Sequence, residues 1–168
     1  MKEIQKKVCL LGDIAVGKSS LVRRFVEGIF DDKYLSTMGV HVSRKVITQA
    51  NHQLKLLVWD LAGGEDFTAS STINYLRGAA GAILVCDLTR ENTLETLATY
   101  AQMMLQVNPT AVFVIVGNKA DLSNERIISD LMLSAHSKNL KCPYLSTSAK
   151  TGERVEDAFH LLAAQLEN

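Results

Sequence analysis

The chain has no long apolar run, no surplus of either charge, hardly any proline and no pairing pattern among its cysteines. Its longest apolar stretches, such as Ala79–Cys86, are strand-sized, far short of the roughly 20 residues a membrane-spanning helix requires. The 18 Lys and Arg balance the 18 Asp and Glu, and no run of five basic residues occurs. A general field able to hold nucleic acid or an anionic membrane is therefore missing, and a nucleic-acid role is not expected. Two prolines and ten glycines are scattered at turns, so there is no linker, repeat or low-complexity block. Cys9, Cys86 and Cys142 lie far apart in apolar surroundings, the pattern of reduced, buried thiols in a cytoplasmic chain. His41, His52, His136 and His160 lack metal-ligand spacing, which makes them surface or structural residues. The N-terminus lacks a signal-peptide layout.

What is present is an alternation. With 168 residues, 47% apolar and 21% charged, the chain suits one soluble domain over residues 1–168, expected to be a monomer. Val8–Leu11 reads as a short buried strand, and Leu21, Val22, Phe25 and Val26 mark one face of a helix. Strands are expected around Val40–Ile47 and Leu54–Trp59, joined by a hairpin turn at Gln49–His52. After an irregular polar stretch, Ala82–Cys86 suits a central parallel strand. Asn92-Thr-Leu-Glu95 has the form of a capping box, followed by Leu94, Leu97, Ala101, Met104 and Leu105 at helical spacing. Val112–Val116 is a strand, Ile127, Ile128, Leu131 and Ala135 suggest a helix, Tyr144–Leu145 is a short strand, and Val155 to Leu166 is an amphipathic helix. This order predicts an α/β fold: six strands, mostly parallel, one antiparallel strand at an edge, and helices on both faces. Ligands of such sheets lie beyond the carboxyl ends of the strands.

Gly12-Asp13-Ile14-Ala15-Val16-Gly17-Lys18-Ser19 follows the first strand and opens the first helix, matching the phosphate-loop pattern in its required context. Glycines let successive N–H groups and the helix N-terminus converge on one anion. Lys18 brings a charge to the outer phosphates, and the Ser19 hydroxyl suits a Mg²⁺ ion, as does Asp60 at the end of Leu56–Trp59. Asn118-Lys119-Ala120-Asp121 follows the Val112–Val116 strand. A carboxylate at Asp121 accepts from both N1–H and the exocyclic N2–H of guanine, a donor pair adenine lacks, so the base is expected to be guanine. A small-molecule kinase using ATP would need an arginine-bearing lid, whereas Arg77, Arg90, Arg126 and Arg154 are scattered.

With these motifs in place the chain resembles a small GTPase of the Ras superfamily, closest to the Rab branch, over essentially its whole length. The Rab-like features are Tyr34 to Val40, Trp59 to Phe67 and Tyr75 to Ala79. The resemblance implies a P-loop GTPase fold and a switch that binds GTP or GDP with Mg²⁺. Nucleotide contacts are implied for Asp13, Ile14, Ala15, Val16, Gly17, Lys18, Ser19 and Ser20, then for Phe30 and Tyr34. On the base side they are implied for Asn118, Lys119, Asp121, Leu122, Ser148, Ala149 and Lys150. The resemblance further implies that Thr37 and Gly63 sense a γ-phosphate, that Ser19, Thr37 and Asp60 form the metal set, and that Lys18, Thr37, Gly63 and Gly64 form the catalytic set. Effectors, an exchange factor and an activating protein would meet Thr37–Val42, Trp59–Phe67 and Tyr75, with Trp59, Tyr75 and Val42 as an apolar patch in which the last replaces the usual aromatic.

Two departures bear on turnover. Gly64 stands where the family carries the glutamine that orients the attacking water, and Ile14 stands where the loop residue is usually small. Glycine cannot position water, while a branched side chain crowds the γ-phosphate and any arginine supplied in trans. The expectation is firm binding with slow hydrolysis, unless Glu65 or Asp66 substitutes or a partner supplies the missing group. The alternative is a GTP-loaded interaction module that scarcely turns over. The sequence ends at Asn168 without prenylation cysteines, so membrane association is expected only through a tail not in this chain, either removed or missing as in tailless bacterial Rab-like members.

Overall fold

A computed structural model describes residues 2–28, 30, 40–61, 63 and 70–167. Strand β1 (Lys2–Leu11) leads to helix α1 (Lys18–Glu27), strands β2 (Val40–Thr48) and β3 (His52–Leu61), and helix α2 (Ser70–Leu76). Strand β4 (Ala79–Asp87), helices α3 (Asn92–Glu95) and α4 (Leu97–Val107), strand β5 (Val112–Asn118), helix α5 (Asp130–Leu140), strand β6 (Tyr144–Ser146) and helix α6 (Val155–Leu166) complete it. The six strands form one sheet in the order β2-β3-β1-β4-β5-β6. Only the β2–β3 pair is antiparallel, and β2 lies at an edge.

Alternation along the inner strands assigns side chains to two cores. Val8 and Leu10 of β1, Ile83 and Val85 of β4, and Val114 and Val116 of β5 pack with Leu21, Phe25, Phe159 and Leu162 from α1 and α6. Cys9, Leu11, Leu84, Cys86, Phe113 and Ile115 point to the other face and meet Leu97, Tyr100, Met104 and Leu133. Because both faces are covered, the strands read as unbroken apolar runs. Each fully buried leucine contributes roughly 2 kcal/mol through removal from water. Phe25 and Phe159 stack at 3.8 Å between ring centroids, pinning α1 against α6. Burial pushes the Cys9 and Cys86 thiols up to about 12, so they behave as core apolar groups.

The chain turns from one side of β1 to the other, since β2 and β3 lie on one flank and β4 to β6 on the other. This is the switch point at which such sheets leave a crevice, and the loop after β1 sits there.

The structure departs from the sequence expectations in detail. β1 begins at Lys2 rather than Val8, because its exposed first half pairs with β3 from Lys2↔His52 onward. The capping box does not form: Asn92 is already helical and no side chain caps α3. Instead the Thr93 hydroxyl accepts from the Asp87 N–H at 2.9 Å and donates to the Arg90 carbonyl at 2.7 Å, closing the preceding turn. The expected helix after Arg126 starts later, at Asp130, where the Ser129 hydroxyl accepts from Met132 N–H. Ile127 and Ile128 lie before it, their N–H groups both donating to the Leu88 carbonyl, and Leu131 is left 81% exposed rather than on a buried face.

Candidate functional site

The carboxyl ends of β1, β3, β4, β5 and β6 bring the expected motifs together. Between β1 and α1 the loop curls through two residues in the left-handed region, Ala15 at φ 66° and Gly17 at φ 103°. At Gly17 a Cβ would lie 2.2 Å from Asn118 Nδ2, so glycine is required by both conformation and space. Lys18 is buried and donates to the carbonyls of Gly12 (2.9 Å) and Asp13 (3.1 Å). Burial draws its pKa down to about 8; the carboxylates of Asp60 and Asp13 oppose that, while the charge of Arg90 adds to it. An ammonium held dry beside backbone carbonyls gains strongly from an arriving anion.

The Ser19 hydroxyl donates to the Asp60 carboxylate, joining the start of α1 to the end of β3. Two hard oxygen groups side by side suit Mg²⁺, which takes few protein ligands and completes its shell with phosphate and water. No group of three or more His, Cys, Asp or Glu able to hold a metal ion occurs among the described residues. Gly63 lies against the same place: a Cβ there would meet the Gly12 carbonyl at 2.3 Å and Lys18 Nζ at 2.8 Å. Gly63, two residues beyond the end of β3, thus leaves no room for a side chain against the phosphate loop. Thr37, Tyr34 and Gly64 lie outside the described residues, as do Glu65 and Asp66.

On the other side of the crevice, Asn118 is a buried staple. Its Nδ2 donates to the Val16 carbonyl at 3.0 Å, and its Oδ1 accepts from Thr147 Oγ1 at 3.1 Å and Ala149 N–H at 3.2 Å. Lys119 donates to the Ala15 carbonyl at 2.8 Å. Both residues, expected from sequence as nucleotide contacts, therefore also tie the base loops to the phosphate loop. Asp121 accepts at one oxygen from Ser148 Oγ at 2.7 Å, and that hydroxyl in turn accepts from Thr151 N–H at 3.0 Å. Ser148 and Ala149 are buried, Lys150 exposed and Leu122 37% exposed at the rim. Ser20 is half-buried in α1, and Phe30 packs half-buried against the α1–α6 core. The Asp13 carboxylate turns away from the crevice, to Thr96 Oγ1 and Tyr100 OH, each at 2.8 Å. Ile14 is 58% exposed at the loop's crest.

Three contributors were not visible in any motif. Arg24, within α1, donates from Nε to the Ala149 carbonyl at 2.9 Å and from its Nη atoms to the carbonyls of Lys150 and Gly28. Thr147 and Tyr100 act through the contacts just given. No local pattern marks them, because Ala149, Asn118 and Asp13, through which they act on the site, lie tens of residues away.

This combination of sheet order, phosphate loop and base-side loops defines a class. The sequence matches the Ras family across residues 7–168, and the chain belongs to that family. It is a Rab-like small GTPase. It is 39% identical over 154 residues to the Ras-related protein Rab-22A of Mus musculus, covering 91% of this chain and 79% of that protein. It is likewise 39% identical over 165 residues to the Ras-related protein Rab-4A of Danio rerio, covering 96% of this chain and 76% of that protein.

Proposed function

We propose that this chain is a guanine-nucleotide switch that binds GTP and GDP with Mg²⁺ and hydrolyses GTP slowly. The observation that carries the reading is the direct coupling of the two half-sites: Asn118 and Lys119, beside the guanine-selective Asp121, hold the carbonyls of Val16 and Ala15 in the phosphate loop. Lys18 supplies charge to the outer phosphates, and Ser19 and Asp60, with Thr37, would hold the metal. When bound, Mg²⁺ neutralises charge developing on the β- and γ-phosphates. The protein's own part is positioning: the loop N–H groups and Lys18 fix the phosphates, and Gly63 places its backbone against them. Thr37 and Gly63 would couple the γ-phosphate to partner choice.

Slow turnover follows from Gly64, which has no side chain to orient water, and from Ile14 at the crest of the loop. Single-turnover hydrolysis on wild type and Gly64→Gln tests this: the expected result is a slow wild-type rate that rises by about tenfold or more in the variant. A fast wild-type rate unaffected by the substitution would reject it. The second reading, a GTP-loaded module without turnover, is favoured by the same two residues. Copurifying GTP together with no restoration in Gly64→Gln would select it.

Partner proteins are proposed to meet Val42, Trp59 and Tyr75. Val42 pairs with Trp59 across β2 and β3 and is 43% exposed, and the Trp59 and Tyr75 rings lie 6.2 Å apart, with Lys7 Nζ 3.7 Å from the Trp59 centroid. The three cysteines are free thiols, which supports a reducing, cytoplasmic setting. No helix among the described residues is long and apolar enough to cross a membrane.

A further inference from the structure

We propose that Asp87 and Arg90 are positioning residues that hold the phosphate loop in its anion-binding form. The inference rests on the reading of residues 12–19 as the phosphate site. Three consecutive carbonyls of that loop are each gripped by a different side chain. Ile14 O accepts from Arg90 Nη2 at 2.9 Å, Ala15 O from Lys119 Nζ at 2.8 Å, and Val16 O from Asn118 Nδ2 at 3.0 Å. None of the described peptide bonds is cis, so in each of these units the N–H points opposite to the C=O. Drawing three carbonyls toward the ends of β4 and β5 therefore turns the N–H groups of Ala15, Val16 and Gly17 to the opposite side of the loop. Successive N–H groups left free on one side of a loop can form an anion nest.

Two of the three grips depend on one carboxylate. Asp87, at the end of β4, is 1% exposed. Its Oδ2 takes both Lys119 Nζ at 2.8 Å and Arg90 Nε at 3.1 Å, and its Oδ1 accepts from the N–H and hydroxyl of Thr89 at 2.9 and 2.7 Å. Burial by itself pushes this carboxyl up, but the hydrogen bonds from Lys119 and Thr89 and the Lys119 charge outweigh it and hold it below the ordinary range. Asp87 thus stays charged and aims both cations. Lys119 belongs to the base motif, whereas Asp87 and Arg90 belong to no motif of the site. Arg90 adds something more: its charge is felt at Lys18, so it reinforces the positive field of the loop as well as its shape. Ala15 sits in the left-handed region, which costs a non-glycine residue free energy, and the Lys119 grip offsets that cost.

The test compares GDP, GMP and IDP binding to wild type, Arg90→Gln, Arg90→Lys and Asp87→Asn, with thermal unfolding alongside. Arg90→Gln is expected to weaken GDP binding by about tenfold, the order of one charge-assisted hydrogen bond. Asp87→Asn should weaken it further, and GMP, with a shorter phosphate chain, should lose less. The GDP-to-IDP ratio, which reads the base side, should not move, and Arg90→Lys should retain most of the affinity because an ammonium also donates to a carbonyl. Unchanged GDP affinity in Arg90→Gln overturns the inference, as does a fall in which the GDP-to-IDP ratio shifts equally, the mark of general loosening. Should Asp87→Asn not fold, Arg90→Gln alone decides. Wild type that binds neither GDP nor GMP would reject the phosphate-site reading itself, a separate result from wild-type binding that Arg90 does not influence.

Discussion

The phosphate side and the base side of the crevice are built on opposite principles. On the phosphate side the proposed recognising groups are backbone N–H groups, and side chains would aim them: the loop's carbonyls are held from outside by Asn118 and Lys119. On the base side the proposed recognising group is a side chain, Asp121, which Ser148 holds directly, while Asn118 and Arg24 hold the backbone of Ala149 beside it. A backbone nest accepts any phosphate of suitable shape, because every residue offers the same N–H. A carboxylate facing two donors distinguishes one base from another. In the proposed reading the first half would provide affinity and the second selectivity.

Asn118 is the residue that breaks this division, since it serves both halves. Asn118→Ala leaves the Val16 carbonyl and the Ala149 N–H without their partner in a buried place, and is expected to lower stability by about 3 kcal/mol and GDP affinity by about a thousandfold. Thermal unfolding and nucleotide titration would check it; intact GDP binding would mean that the two halves are independent. Asp121→Ala sharpens the comparison. It should lower guanine-nucleotide affinity by about a thousandfold while leaving phosphate-chain dependence intact. Competition among GTP, ATP and ITP measures this, and a persisting guanine preference would move selectivity elsewhere. The smallest effect is expected for Arg24→Gln, which removes grips on Ala149 and Lys150. GDP affinity should fall by about tenfold through the base side, with the GDP-to-GMP ratio constant; a shift in that ratio would assign Arg24 to the phosphate half instead.

The legible elements were those whose causes are local. β4, β5, α1 and α6 follow from apolar runs and helical periodicity, and Val155, Ala158, Phe159, Leu162 and Ala163 are buried as their spacing requires. The α5 region was harder, because Ile127, Ile128 and Leu131 share the composition of a buried helix face while the Ser129 cap sets a later start. The same holds for Asn92-Thr-Leu-Glu95, where the Thr93 hydroxyl accepts from the Asp87 N–H at the end of β4 and donates to the Arg90 carbonyl, in place of a cap. In each case a polar group chose a distant or unexpected partner, and composition carries no information about that choice.

Within the site the division is similar. The sequence alone determined the family, and it named the loop and the acid proposed for phosphate and guanine, because these depend on residue type at fixed short spacing, and short spacing survives folding unchanged. It also determined that a mostly parallel sheet would carry them at its carboxyl ends. Only the tertiary structure decided that Asn118 and Lys119 grip the phosphate loop, that Asp13 turns to Tyr100, and that Arg24, Asp87 and Arg90 take part at all. The physical reason is directional. A hydrogen bond needs its donor and acceptor within about 3 Å and aligned, and for residues on different strands and helices that alignment exists only once the sheet order has placed them.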